Sequence, residues 1–507
     1  MSLTPGLIRP EHPEPRPLID LAAELGLRAV GELEGRYATG IALRTQDVRP
    51  GDVFAAVPGT KTHGANHARE AQELGAIALL TDDEGATIAA DAGLPLLVTE
   101  TPREAVGVAA SWILRTPGAV PLLFGVTGTN GKTTTTRLLD FLLRRLGLVT
   151  GYSTTGERVV HGERVPSRLT TPEADELHAL LARMREQGVE AAVIEVSAQA
   201  LVRHRVAGIP FDVVGFTNLT HDHLDDFGDM DRYFAAKASL FASGTAKRGV
   251  ASLDTEYGRR LAESAEIPVT TVGREADADW QLSEVRPEGD GMRFVLTGPA
   301  GRLQTRVDQL GEHAASNAAL AVVMAIDAGH DLAEIADALG DEGFSVPNPG
   351  RLERVPASGG PAVYLDIAHT PDAVATSLRA LRPLTPGRLV IVFGADGDRD
   401  PSKRPVLGRL AAELADVVYV TDYHSRTEDP DRVRIPVLEA ARAAGGAEVH
   451  EVRDPAEAIR RAVRAYGEGD AILWAGSGTT EYLDVAGVKH PFLFREHAVS
   501  ALREAGA

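Results

Sequence analysis

The chain has 507 residues, 44% of them hydrophobic, and carries a formal net charge of −20 from 72 acidic and 52 basic side chains. That length suggests two to four domains, with three the nearest division at roughly 100–200 residues each, and the acidic balance argues against nucleic acid as a partner, because a phosphate backbone demands a basic surface. With no cysteine, disulfides, thiolate catalysis and cysteine-based zinc sites are excluded; no secretory signal and no run of ~18 apolar residues is found, so a cytoplasmic protein with no membrane partner is expected.

In chain order, residues 1–17 are rich in Pro and read as a flexible N-terminal arm. "DVFAAVPG", "AIALLTDD" and "LPLLVTE" are short strands with helical spacers, which makes 18–117 a small α/β domain ending in the linker "RTPGAVP" (115–121). From 118 to 346, "LLFGVTG", "AAVIEVS", "DVVGFTNLT" and "RGVASLD" alternate with helical patterns, the rhythm of a mostly parallel sheet covered by helices. "FSVPNPGRLERV" (344–355) reads as a second linker and candidate hinge. Beyond it, "RLVIVFGADGD", "ADVVYVTDYHS" and "AILWAGSGTT" are three strand-then-loop units, so 347–507 is expected to be a doubly wound third domain. The predicted class is α/β with three domains.

"GVTGTNGKTTTT" (125–136) follows an apolar strand and precedes the amphipathic helix "TRLLDFLLRRLG", the context a phosphate-binding P-loop requires. Gly128, Thr129, Asn130, Gly131 and Thr134 let backbone N–H groups approach phosphate oxygens at a helix N-terminus. Lys132 would reach the β/γ-phosphates and Thr133 would ligate Mg²⁺. Glu195 ends the strand of "VIEVSAQAL", placed like a second acidic ligand. "FTNLTHDHLD" then brings His221, Asp222, His223 and Asp225 together, either a metal cluster or a polar loop, and Lys237 follows on a helix.

Taken together, "LRTQDVRPGDVFAAVPGTKTHGANHAREA", "GTNGKTTT", "LTTPEA", "EVSAQALVRHRV", "FTNLTHDHLD", "YFAAKASLF", "NPGRLE", "LDIAHTPDA" and "FGADGDRDPSKRP" resemble, in order and over nearly the whole chain, the Mur ligase superfamily and its MurE-type members. The resemblance implies a uridine-substrate domain, a central P-loop ATPase sheet and a C-terminal Rossmann-like domain in a cytoplasmic monomer. It also implies an ATP-dependent amide ligase that joins an amino acid to a UDP-N-acetylmuramoyl dipeptide through an acyl phosphate. By that resemblance Thr133, Glu195, His223 and an N-carbamylated Lys237 would hold two Mg²⁺ ions, with Lys132 on the phosphates. Asn317 would meet adenine, and Arg351, Asp366 and His369 would close over ATP. Thr60, Lys61 and Thr62 match the loop that holds uracil. Thr170, Thr171, Ser197, Arg203 and Arg205 fall where the family contacts the muramoyl peptide and pyrophosphate, the arginine fork suiting carboxylate or phosphate.

Departures concentrate in the amino-acid pocket. A family asparagine three residues before Asn317 is Ala314, "EVSSH" reads "EVSAQ", and a tyrosine before "AHTPD" is Ile367. Where diaminopimelate-adding relatives read "DNPR" and "GKGHE", this chain reads "YHSR" (Tyr423, His424, Ser425, Arg426) and "GSGTT" (Gly476 to Thr480). Arg399 and Arg426 survive to take carboxylates, but Thr480 replaces the glutamate that would face a distal ammonium, and Tyr423 is available to pack on a flat or apolar side chain. Losing a buried charge partner costs several kcal/mol, so the amino acid is expected not to be meso-diaminopimelate unless Glu428, Glu481 or Asp484 supplies the charge from a shifted position. A MurE-like paralogue joining a different amine and carboxylate in specialised metabolism, a non-catalytic nucleotide-binding protein and a folyl-polyglutamate-type ligase stay open as alternatives.

Overall fold

The structure, a computed structural model, describes residues 8–59, 61–222, 224–356, 359–478 and 481–506, apart from the side chains of Leu224 and Asp225. Thr60, His223 and Thr480, together with the Asp225 side chain, therefore lie outside the described residues. Among the described residues no helix is long and apolar enough to cross a membrane.

Three sheets follow one another along the chain. The first runs Arg28–Val30, Leu96–Val98, Ala78–Thr81, Asp52–Ala55, Gly40–Ala42, parallel except for its first strand. The second has a parallel centre, Thr150–Ser153, Ala191–Glu195, Leu122–Thr127, Phe211–Phe216, Ala246–Ser252 and Val269–Gly273, extended by antiparallel strands at both ends. The third, Ala362–Asp366, Ala471–Ala475, Leu389–Phe393, Val417–Val420 and Glu448–Glu451, is parallel, with Glu353–Arg354 added antiparallel at its edge.

The central strands are apolar throughout because both faces are covered. Phe124, Val126, Val193 and Val213 pack under the helices Lys132–Arg145 and Glu312–Asp327. Leu123, Ile194, Val214 and Phe216 pack under Ala174–Glu186 and Met230–Ala238. Parallel pairing then decides where chemistry can sit. Glu195 is in register with Val126, and Phe216 with Thr127, so the loops after all three strands open at one edge.

The first domain docks through the helix Pro102–Leu114 onto Ala174–Glu186. At Gly107 a Cβ would lie 2.6 Å from the Ala207 carbonyl, so only glycine permits this approach. The buried His178 donates from Nε2 to the Ala207 carbonyl at 2.9 Å and accepts the Thr116 hydroxyl at 2.6 Å, and burial lowers its pKa to about 4. Asp175, also buried, accepts the Leu43 N–H at 2.9 Å, and burial raises its carboxyl to about 7.

Residues 8–17 of the expected arm run along this seam. Arg9 is buried in an ion pair with Asp52 at 2.6 Å. The Glu11 and His12 N–H groups donate to Glu186, each at 2.8 Å. The Arg16 guanidinium covers Trp112 at 3.4 Å. This part of the arm thus bridges the first domain and a helix of the second.

The third domain is closed onto the second. Arg137 donates to the Pro347 carbonyl at 2.7 Å, Asn348 to Thr134 Oγ1 at 2.9 Å and Asn130 to Asp372 at 3.3 Å. Lys403 pairs with Asp222 at 2.6 Å.

A titrating carboxyl at the first seam makes its stability depend on pH. Because the folded pKa of Asp175 lies above its unfolded value, its contribution is complete below about pH 4 and lost as pH rises through about 7. Asp175→Asn, which keeps an acceptor for Leu43, is expected to stabilise the protein more at pH 8.5 than at pH 5.5, by about 2 kcal/mol. Paired thermal melts of the two proteins at both pH values check it; His178 is present in both and cancels from the difference.

Candidate active site

The loop after Leu122–Thr127 is shaped before any ligand enters it. Gly128 and Gly131 have φ of +147° and +87°, and a Cβ on Gly131 would meet Asn317 Oδ1 at 2.5 Å. The neighbouring strand's Asn218 braces the loop from both sides, accepting the Asn130 N–H at 3.0 Å and donating to its carbonyl at 3.1 Å. Thr217 Oγ1 donates to the same carbonyl at 2.6 Å. Neither residue was singled out in the sequence; both sit where a strand beside the P-loop must end.

Lys132 curls over the loop, donating to the Gly128 and Thr129 carbonyls at 3.0 and 2.9 Å. Thr133 Oγ1 donates to Glu195 Oε1 at 2.6 Å, and the Thr155 N–H donates to Glu195 Oε2 at 2.6 Å. A hydroxyl and a carboxylate joined at the strand ends are hard oxygen donors of the kind Mg²⁺ takes. The residues therefore fit the expected ion at Thr133 and Glu195.

Lys237 is 1% exposed. Its amine donates to the Gly128 carbonyl at 2.7 Å and lies 4.6 Å from the Tyr233 ring centre. Burial first, and the nearby Lys132 charge second, hold its pKa well below the usual lysine value. Of the anticipated His/Asp cluster, the described side chains are those of His221 and Asp222. Asp222 is engaged by Lys403 and the exposed His221 faces Asp400 at 3.8 Å. Among the described residues no group of three metal-ligating acids and histidines forms.

On the acceptor side Thr171 Oγ1 donates to the Glu195 carbonyl at 2.8 Å and accepts the Ser197 N–H at 3.0 Å, welding "TTPEA" to "EVSAQ". Thr170 Oγ1 accepts from Thr155 Oγ1 at 3.1 Å. Ser197 caps the helix Ala198–Val202, its Oγ accepting the Ala200 N–H. Arg203 is exposed at that helix's end. Arg205 is not: it is buried and donates to Glu173 at 2.7 Å and to the Thr171 carbonyl. The structure assigns Arg205 to bracing rather than to an open anion site. Lys61 and Thr62 lie exposed on the turn bridging Pro58 and His63.

Between the second and third domains a cavity is lined by Asn130, Gly131, Asn317, Arg351, Asp366 and Asp372, among others. Arg351 crosses from the third domain to within 3.5 Å of Thr133 Oγ1. Asp366 accepts the Leu352 and Ala368 N–H groups, each at 2.7 Å, which positions the Arg351 segment; burial raises its pKa against the Arg351 charge. Asn317 Oδ1 accepts the Thr135 hydroxyl at 3.3 Å. His369, expected over ATP with these residues, instead lines a second cavity with Asp222, Asp396, Arg399, Lys403 and Arg426.

That second cavity corrects the reading of the "YHSR" loop. Tyr423 and His424 do not line it. Tyr423 donates its hydroxyl to the Gly476 carbonyl at 2.5 Å and its ring packs toward Phe494. His424 is buried, accepting the Asp484 N–H at 3.0 Å, and burial lowers its pKa. Both side chains hold loops together, Tyr423 through Gly476 and His424 through Asp484. Arg426, at φ +53°, remains in the cavity wall and donates to Asp396 at 3.4 Å.

This geometry has matches. Residues 126–325 match the Mur ligase middle domain, 350–478 the Mur ligase glutamate ligase domain, and 38–111 the Mur ligase family catalytic domain. A UDP-N-acetylmuramyl-tripeptide synthetase of Leifsonia xyli subsp. xyli is 52% identical over 507 residues, 99% of each chain. A UDP-N-acetylmuramoyl-L-alanyl-D-glutamate–2,6-diaminopimelate ligase of Streptomyces avermitilis is 42% identical over 495 residues, 96% of each chain. A solved structure of a UDP-N-acetylmuramoyl-L-alanyl-D-glutamate–2,6-diaminopimelate ligase superposes with a TM-score of 0.66 at 26% identity, covering 94% of this chain and 97% of that one. With a P-loop, its acidic partner and an arginine from the closing domain in one cleft, and with relatives matched end to end, the chain belongs to the Mur ligase family of ATP-dependent ligases.

Proposed function

We propose that the chain joins an amino acid to the D-glutamyl carboxylate of a UDP-N-acetylmuramoyl dipeptide, and that this amino acid is not meso-diaminopimelate. The observation that carries the ligase reading is the meeting of Lys132, the Thr133–Glu195 pair and Arg351 from a second domain on one face of the P-loop.

The reaction sets the requirement. A carboxylate oxygen attacks the γ-phosphorus of ATP as the bond to ADP breaks. An amine nitrogen then attacks the acyl carbon, and phosphate leaves as the amine loses its proton. Both steps bring anions together, so fixed cations and dipoles must screen them. Lys132 would leave the Gly128 and Thr129 carbonyls for the phosphates, and Arg351 would lie across the γ-position once the third domain is closed. Thr133 and Glu195 would hold Mg²⁺, which when bound supplies positive charge between the β- and γ-phosphates. Thr170 and Thr171 sit beside Glu195, where the muramoyl peptide would present its carboxylate.

Lys237 fits a modified role. An ammonium buried beside Lys132 is disfavoured, and a neutral amine can add to CO₂, giving a carbamate and one proton. The product is an anion near the Lys132 charge, a favourable exchange in a site of low dielectric.

The exclusion of diaminopimelate rests on the sequence, where Thr480 stands in place of the glutamate of diaminopimelate-adding relatives. Glu428, one candidate for the missing anion, is engaged by Arg404 at 2.7 and 3.0 Å. The Asp484 backbone carbonyl accepts the Arg426 N–H at 2.9 Å.

Three outcomes are expected. With ATP, the UDP-muramoyl dipeptide and a panel of amino acids, phosphate release should require all three components; release with amines but independent of the UDP-sugar would favour a paralogue acting on another carboxylate. Lys132→Ala and Arg351→Ala should each lower kcat by about 10²–10³-fold with smaller changes in KM. Protein equilibrated with ¹³C-bicarbonate should show a carbamate resonance that Lys237→Ala removes, and activity should fall in CO₂-depleted buffer.

A further inference from the structure

The second cavity holds an arginine that is already partly neutralised. Resting on the ligase reading above, we propose that Asp396 is a specificity-determining residue: it places the protein's own carboxylate on Arg426, so the enzyme takes an α-amino acid whose side chain carries no carboxylate.

The placement of Asp396 is set by backbone packing. The Gly397 N–H donates to the His424 carbonyl at 2.7 Å, and a Cβ on Gly397 would lie 2.0 Å from the Ser425 carbonyl oxygen. Only glycine lets the loop after Leu389–Phe393 press this closely on the loop after Val417–Val420. On the other side, Arg404 donates to the Asp396 carbonyl at 3.3 Å. Arg426 is held as firmly. Its N–H donates to the Asp484 carbonyl at 2.9 Å and its carbonyl accepts the Gly487 N–H at 3.1 Å. Two clamped loops therefore hold this acid against this guanidinium.

Several other charged groups of this cavity, which Arg399 and His369 also line, have partners of their own. Lys403 is paired with Asp222, and Arg404 with Glu428. Asp400 accepts the Ser402 hydroxyl and N–H at 2.6 and 2.9 Å. Arg426 and Asp396 share one contact at 3.4 Å, with side chains 33% and 15% exposed. That contact is long for a charge-assisted hydrogen bond, so the pair is open to a ligand yet not free of charge. A side-chain carboxylate arriving at Arg426 would have to displace Asp396 and then lie beside it. Two carboxylates about one guanidinium repel, and the displaced acid keeps most of its burial without its cation. A side chain that is neutral leaves the pair intact, and one bearing an ammonium without a carboxylate adds a partner for Asp396.

The test compares kcat/KM across amino acids in the phosphate-release assay with ATP and UDP-N-acetylmuramoyl-L-alanyl-D-glutamate. The panel is the standard amino acids, the shorter homologues of lysine, and meso-diaminopimelate. The native enzyme is expected to favour a side chain without a carboxylate over diaminopimelate by at least about 10-fold, and both Asp396→Ala and the isosteric Asp396→Asn should narrow that ratio by about 10-fold through a lower KM for diaminopimelate. Diaminopimelate as the best native substrate would overturn the proposal. So would a ratio unchanged in both variants, or loss of turnover on every amino acid by variants that still fold by circular dichroism. If the native enzyme uses no amino acid in the panel with this UDP-sugar, the functional reading fails with it, an outcome distinct from turnover with an unmoved ratio.

Discussion

Positive charge is concentrated where the backbone can least ignore it. Lys132, Lys237 and Arg351 converge on the loop at 128–133, two of them donating to its carbonyls and the third reaching its Thr133 hydroxyl. In an apolar setting such groups repel and their charged forms are disfavoured, and the pKa of Lys237 is lowered accordingly. The surrounding architecture serves to hold this arrangement. Parallel strands open their ends at one edge, Asn218 and Thr217 splint the loop, and the third domain, closed onto the second, sets its arginine there. The triphosphate and carboxylate are the anions that such a cluster lacks.

The two seams of the molecule differ in kind. Between the first and second domains the contact is buried and largely permanent in character, with helix against helix at a glycine, a neutral histidine and a carboxyl pressed into the interior. Between the second and third the contacts are polar side chains bridging a cavity, such as Asn130 to Asp372 and Lys403 to Asp222. Polar contacts of that sort are cheaply broken in water, which suits a joint that must admit nucleotide and amino acid and let product go.

Much of this was legible in the residues. A strand, a glycine-rich loop and an amphipathic helix form one local signal, and the parallel sheet follows from alternating apolar runs and helical spacers. What could not be read was the choice of partner. Arg205 looks like an anion binder until Glu173 is folded against it. Tyr423 and His424 look like pocket walls until Gly476 and Asp484, some 50–60 residues away, claim their polar atoms. Asp396 carried no signal beside the arginines of its own stretch, because its meaning comes from a loop on another strand. Side-chain roles at strand ends are tertiary facts, whereas the strand ends themselves are written locally.

Arg9 sits in a stretch whose prolines invite its removal when expression vectors are designed. Yet its guanidinium is 8% exposed and faces Asp52, which is 1% exposed, while the same segment grips Glu186 on the neighbouring domain. A shortened recombinant protein beginning after this point would carry a stranded interior anion, a loss of about 3–5 kcal/mol, and a looser joint between its first two units. Poor yield from such a clone would then reflect a missing rivet, not an unstable enzyme.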